Sequence, residues 1–161
     1  MQKFPFFIAL LFLINSCHMN DHNPLIDGKV LPSVLQKEPY KSAWFEKHYN
    51  EYHLKDFVVS TDSIKINVYF GSWCGDSHRQ VPAFIKIAEE NSLFYDLYGV
   101  NTDMKSTKGF EKDKNIHHVP TFIVLRDGVE IGRIIETPIV SLEADLTSIV
   151  SGKAYTPNHA D

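Results

Sequence analysis

One short segment constrains this chain more than any other. An apolar, β-branched run, Ile64-Lys65-Ile66-Asn67-Val68-Tyr69-Phe70, leads through Gly71-Ser72-Trp73 to Cys74 and into a stretch of helical character reaching about Asn91. β-branched and aromatic residues favour the pleated strand, so a strand ends where a helix begins, and Cys74 stands at the junction. The first turn of a helix leaves N–H groups unpaired, and the macrodipole puts partial positive charge there. Both favour a cysteine sulfur as thiolate; Asp76, two residues on, opposes them. Pro82 falls inside the helix and predicts a kink, because proline lacks the N–H and crowds the preceding turn.

Around this junction the rest of the chain alternates. Trp44, Phe45, His48, Tyr49 and Tyr52 make an aromatic stripe that predicts a helix over Tyr40–Leu54 with a packed face. Phe57-Val58-Val59 suggests a short strand, Phe94–Val100 a further strand, and Lys108–Lys114 a short charged helix. Thr121–Leu125 and Val129–Ile135 read as strands joined by the tight turn Arg126-Asp127-Gly128. Ser141 caps a last helix, with Glu143 and Asp145 in its first turn and Leu142, Leu146, Ile149 and Val150 on its buried side. Helices and strands in this order predict an α/β domain, a central mixed sheet flanked by helices on both faces.

The start of the chain reads differently. Met1-Gln2-Lys3 is short and basic, and Phe4–Ile14 is apolar but shorter than the roughly 20 residues a spanning helix needs. That length suits the apolar region of a secretory signal. Ile14-Asn15-Ser16-Cys17 resembles the lipobox of bacterial lipoproteins, in which the cysteine is acylated and becomes the mature N-terminus. An ordinarily cleaved signal and an uncleaved apolar anchor are the competing readings; the lipoprotein reading gives a signal over 1–16, a lipidated Cys17 with a polar tether to Pro39, a domain over 40–155 and a tail over 156–161. The expected location is outside the cytoplasm, anchored to a membrane and facing the periplasm or the cell exterior. Removing 1–16 takes Lys3 alone among charged side chains, so a formal charge of -4 becomes -5. No run of like charges marks a nucleic-acid partner. The sequence has 2 cysteines; with Cys17 acylated, Cys74 is left as one unpaired thiol in an oxidising setting.

The chain resembles the thioredoxin family on an ordered set of residues. Trp73-Cys74-Gly75-Asp76-Ser77 sits on the strand–turn–helix where that family carries Trp-Cys-x-x-Cys. Pro82, eight residues after Cys74, matches its helix proline, and Val119-Pro120-Thr121 matches its cis-proline loop. Asp127-Gly128 and Gly132 follow in family-typical places, and the set spans roughly residues 55–151. The resemblance implies a thioredoxin-like fold, Cys74 as nucleophile, and a substrate groove formed by Trp73, Gly75, Asp76, Val119, Pro120 and Thr121. Ser77 takes the second cysteine's place and is expected to hydrogen-bond to the Cys74 thiolate. Val68 stands where many thioredoxins bury an aspartate, and Gly99 near that aspartate's lysine partner. Attack by Cys74 would then give a mixed disulfide that only an external thiol can resolve.

Two functions follow. One is thiol–disulfide exchange with protein disulfides and thiols, or small thiols such as glutathione, completed by an external reductant. The other is a non-catalytic module that holds partners in the same groove. Cys-x-x-Ser also resembles monothiol glutaredoxins, which share an iron–sulfur cluster between two chains, but their glutathione-binding residues are not matched. No cofactor is expected. His78, His117 and His118 lie near Cys74 in the pattern, yet lack the ligand spacing of zinc sites, so no metal is expected either.

Overall fold

The computed structural model describes residues 24–57 and 60–160. The signal, the lipobox with Cys17, and Val58 and Val59 of the suggested short strand lie outside them. Five strands, β1 (Gly28–Val30), β2 (Ile64–Phe70), β3 (Phe94–Gly99), β4 (Thr121–Arg126) and β5 (Val129–Ile135), form one sheet in the order β1-β3-β2-β4-β5. β2 and β3 are parallel, and every other pairing is antiparallel. The parallel pair requires a crossover, which α3 (Gly75–Glu90) supplies between them. The remaining helical segments are α1 (Pro32–Leu35), a π-helical turn over Lys41–Phe45 continuing into α2 (Glu46–Glu51), and α4 (Leu142–Val150). This is the α/β, mixed-sheet thioredoxin-like fold that the resemblance implies.

Strand alternation divides the core. Ile64, Ile66, Val68 and Phe70 of β2 share one face with Phe122 and Val124 of β4, and there meet Val81, Phe84 and Ile85 of α3 and Leu142, Leu146 and Ile149 of α4. Tyr69 and Ile123 point the other way, toward Val100, Ile116 and Val119. On that second face the expected helix over 108–114 is not formed. Positive φ at Gly109, Asp113 and Asn115 breaks any helical run, and a succession of turns covers the sheet instead.

The expected tether also needs correction from Pro24 onward. Gly28, Lys29 and Val30 pair with Gly99, Tyr98 and Leu97 of β3, while Ile26 and Leu35 are buried in the core. Burying two aliphatic side chains and adding an edge strand gives this stretch reason to stay on the domain. The expected tail is likewise held: the Asn158 amide donates to the Thr137 carbonyl at 2.9 Å. Other expectations match closely. Asp127 and Gly128 take φ of 50° and 82°, as a two-residue hairpin turn demands. Ser141 caps α4, its hydroxyl accepting the Ala144 N–H at 3.2 Å. Two carboxylates near that end are buried and employed: Glu143 accepts from the Tyr52 hydroxyl at 2.8 Å and the Lys55 N–H at 3.0 Å. Asp145 accepts from the Ile139 N–H at 2.6 Å and the Tyr155 hydroxyl at 2.9 Å. Among the described residues no helix is long and apolar enough to cross a membrane.

Candidate functional site

Cys74 occupies the N-cap of α3 in an extended conformation, φ -94° and ψ 125°. Its carbonyl accepts the His78 N–H at 3.0 Å, which fixes the backbone and leaves the side chain directed across the sheet end. There Cys74 Sγ donates to the Val119 carbonyl at 3.2 Å. The Val119–Pro120 peptide is cis, in keeping with the resemblance. Thr121, buried at the start of β4, donates its hydroxyl to the His118 carbonyl at 2.6 Å and ties the loop back. The structure thus brings Cys74, Val119, Pro120 and Thr121 to one place.

The sulfur is half-buried: one side packs on the cluster of Tyr69, Val100, Ile116, Val119 and Ile123. Its chain neighbours Trp73, 36 % exposed, and Gly75 both lie at the surface. The Trp73 indole N–H donates to the Val100 carbonyl at 3.0 Å, so the ring is held at one angle beside the thiol. Asp76 pairs with Arg79 one turn along, so its charge is engaged by that cation. The site can therefore present one half-buried sulfur beside an exposed aromatic ring, while Val119, Pro120 and Thr121, expected to line a substrate groove, are buried.

Ser77 behaves differently from expectation. It is fully buried, and its hydroxyl oxygen accepts the Gly71 N–H at 3.2 Å. Among the described residues no hydrogen bond joins it to Cys74. The inward turn follows from position: three residues after the N-cap, Ser77 faces the strand–helix loop and satisfies a loop N–H that nothing else reaches. His78 does not pair with the thiol either. Its Nε2 lies 2.7 Å from the Ser72 carbonyl, which can only accept, and its ring stacks on Trp44 at 4.6 Å. His117 is exposed, whereas His118 meets Glu136 and His159.

The role of one residue of the site escaped the sequence reading. Ser72 is buried, and its hydroxyl accepts the Ile26 N–H at 3.0 Å while reaching the Pro24 carbonyl at 3.5 Å. The entering chain is thereby docked two residues from Cys74. A serine before Trp-Cys carries no signal of that role, because its partner lies 46 residues away. Gly99 gains a reason too. A Cβ there would stand 2.3 Å from the Ile26 carbonyl oxygen, so no side chain fits between β3 and the segment entering β1. Val68, fully buried, leaves an apolar surface where an aspartate could have served as a proton carrier.

Residues 34–145 match a family model described as thioredoxin. Among curated proteins the chain is 27% identical to thioredoxin H2 of Arabidopsis thaliana over 118 residues, 73% of this chain and 81% of that one. It is 27% identical to thioredoxin H9 of the same plant over 89 residues, 55% of this chain and 61% of that one. Thioredoxin-2 of Pyricularia oryzae is 25% identical over 95 residues, 59% of this chain and 53% of that one. The chain thus spans only part of the length of some relatives it matches. Among solved structures, Arabidopsis thaliana thioredoxin O2 in the oxidized state is 16% identical with a TM-score of 0.44, covering 66% of this chain and 86% of that one. Fasciola hepatica thioredoxin is 19% identical with a TM-score of 0.42, covering 56% of this chain and 81% of that one.

Proposed function

Because the chain belongs to the thioredoxin family, we propose that it carries out thiol–disulfide exchange through a single thiol, Cys74, on a domain held to a membrane by acylated Cys17. The observation that carries the reading is the placement of Cys74 at the N-terminus of α3, half-open to solvent and 3.2 Å from the carbonyl that precedes the cis-proline. The Cys74 thiolate attacks one sulfur of a substrate disulfide. A new S–S bond forms, the old one breaks, and the departing sulfur leaves as a thiolate, so one sulfur is oxidised as the other is reduced. With serine at 77, the mixed disulfide waits for a thiol from outside the domain. An extended substrate segment would lie along the Val119 backbone, beside Trp73 and Pro120, in the manner of strand addition.

The alternative is a module that holds partners without exchange. The buried Val68 and the inward Ser77 favour it, since neither can help move a proton at Cys74.

One experiment separates the two. In a Cys17→Ser background, the protein is mixed with an aromatic disulfide, quenched in acid and weighed by mass spectrometry. Exchange predicts an accumulating mixed disulfide that vanishes in Cys74→Ala and that Ser77→Cys resolves internally, releasing both product thiols. Equal behaviour of Cys74→Ala and its parent removes the exchange reading and leaves the binding module. The anchor is tested apart: an acylated mature chain beginning at Cys17 is expected, and Cys17→Ser should release the protein from the membrane fraction. An unacylated wild-type chain would overturn the lipoprotein reading.

A further inference from the structure

His118 from the cis-proline loop, Glu136 from the end of β5 and His159 from the C-terminal stretch converge on one spot. Glu136 Oε1 lies 3.4 Å from His118 Nδ1, and its Oε2 lies 2.8 Å from His159 Nε2. The two imidazole rings stack at 4.5 Å, and one donor atom of each residue lies within 4.8 Å of the other two. We propose that these three side chains form a binding site for a divalent transition-metal ion of the zinc class.

Two imidazole nitrogens and a carboxylate oxygen are a donor set that suits Zn²⁺, with the fourth tetrahedral position left to water. At metal–ligand bonds of about 2.0–2.2 Å, tetrahedral ligand atoms stand roughly 3.4 Å apart. The two ring-to-carboxylate separations are near that spacing but run to different oxygens of Glu136, so ligation needs the stacked rings to splay until both nitrogens face one ion. The backbone behind each donor is secured. The Glu136 N–H donates to the Pro120 carbonyl at 2.7 Å, the His118 carbonyl accepts from Thr121, and Asn158 is bonded to the carbonyl and hydroxyl of Thr137. His118 and His159 line a cavity together with His117 and Arg133. The Arg133 guanidinium is engaged by Glu130 and by the Lys114 and Asn115 carbonyls, which keeps that cation occupied with other partners. A hydrogen-bonded His–Glu–His cluster without metal would use the same contacts, and the test must separate the two. A bound ion would tie the C-terminal stretch to the loop whose Val119 carbonyl meets Cys74.

The full chain is titrated with Zn²⁺ in competition with a chromogenic chelator. One ion per chain is expected. His159→Ala and Glu136→Gln should each weaken binding at least as far as the about 10–100-fold that loss of an outer-shell partner costs, whereas His53→Ala should not. With Co²⁺ the expected spectrum has ligand-field bands and no thiolate-to-cobalt charge transfer, and is unchanged in Cys74→Ser. Absence of stoichiometric binding, undiminished affinity in both ligand variants, or a thiolate band would overturn the proposal. The last result would put the ion on a cysteine.

Discussion

Ser77 shows how one side chain can set both chemistry and stability. Its oxygen satisfies the Gly71 N–H inside the strand–helix loop, where water cannot replace it. Ser77→Ala should therefore strand a buried donor and cost about 1–3 kcal/mol, read as a lower urea midpoint with the slope unchanged. Ser77→Cys keeps a weak acceptor at the same spot and should cost less. Gly99 is a second case. Alanine there would press on the Ile26 carbonyl at 2.3 Å, and because that neighbour is backbone, the segment must move. Gly99→Ala should lose about 1–3 kcal/mol, as overpacking does, and should speed proteolysis between Pro24 and Leu35. A melting curve and cleavage pattern like the parent's would show that the segment docks more loosely than the geometry says.

Among the elements, β2, α3, β3, β4, β5 and α4 were legible from the sequence for physical reasons. Ile64–Phe70 and Thr121–Arg126 are dense in β-branched and aromatic residues, Asp127-Gly128 suits a turn with positive φ, and Ser141 followed by Glu143 and Asp145 marks a helix start. The misreadings share a cause too. Gly28-Lys29-Val30 is too short for any alternation to register, and it becomes a strand only because β3 offers an edge. Residues 108–114 carry helix-forming charges, yet local left-handed residues and the need to cover Tyr69 and Tyr98 prevail. At the site, the Cys74 junction and the cis-proline loop could be read as local patterns. Ser72's docking role and the meeting of His118, Glu136 and His159 could not, since only the folded topology joins them. Glu143 tests the element scale. It holds the Tyr52–Lys55 segment against α4, so Glu143→Leu should leave the Lys55 N–H unpaired and loosen that segment. Faster amide exchange at Lys55, with α3 unaffected, is the expected signature.

For the whole molecule, tyrosines dominate the response to alkali. Burial pushes Tyr69, Tyr95 and Tyr98 up to about 12, and the Glu89 carboxylate accepting its hydroxyl pushes Tyr49 up to about 12. Burial first, then the carboxylates of Glu143 and Asp145, raise Tyr52 and Tyr155 as well. The folded state thus keeps protons that an unfolded chain releases near pH 10. The stability these groups confer is complete below about pH 10 and is lost as pH climbs toward about 12, because ionisation then favours the unfolded chain. Thermal melts in that window should show a falling midpoint, partly relieved in Tyr49→Phe. The docking of Pro24 and Ile26 onto Ser72 has a geometric consequence of its own. The chain enters the fold beside Cys74, so the acyl anchor proposed at Cys17 would be separated from the reactive end by a leash of only a few residues of sequence. Fully extended, that leash reaches about 25 Å. If that anchor is present, a thiol so short-tethered would meet chiefly partners held near the bilayer, and its effective selectivity would be set by where they sit as much as by what they are.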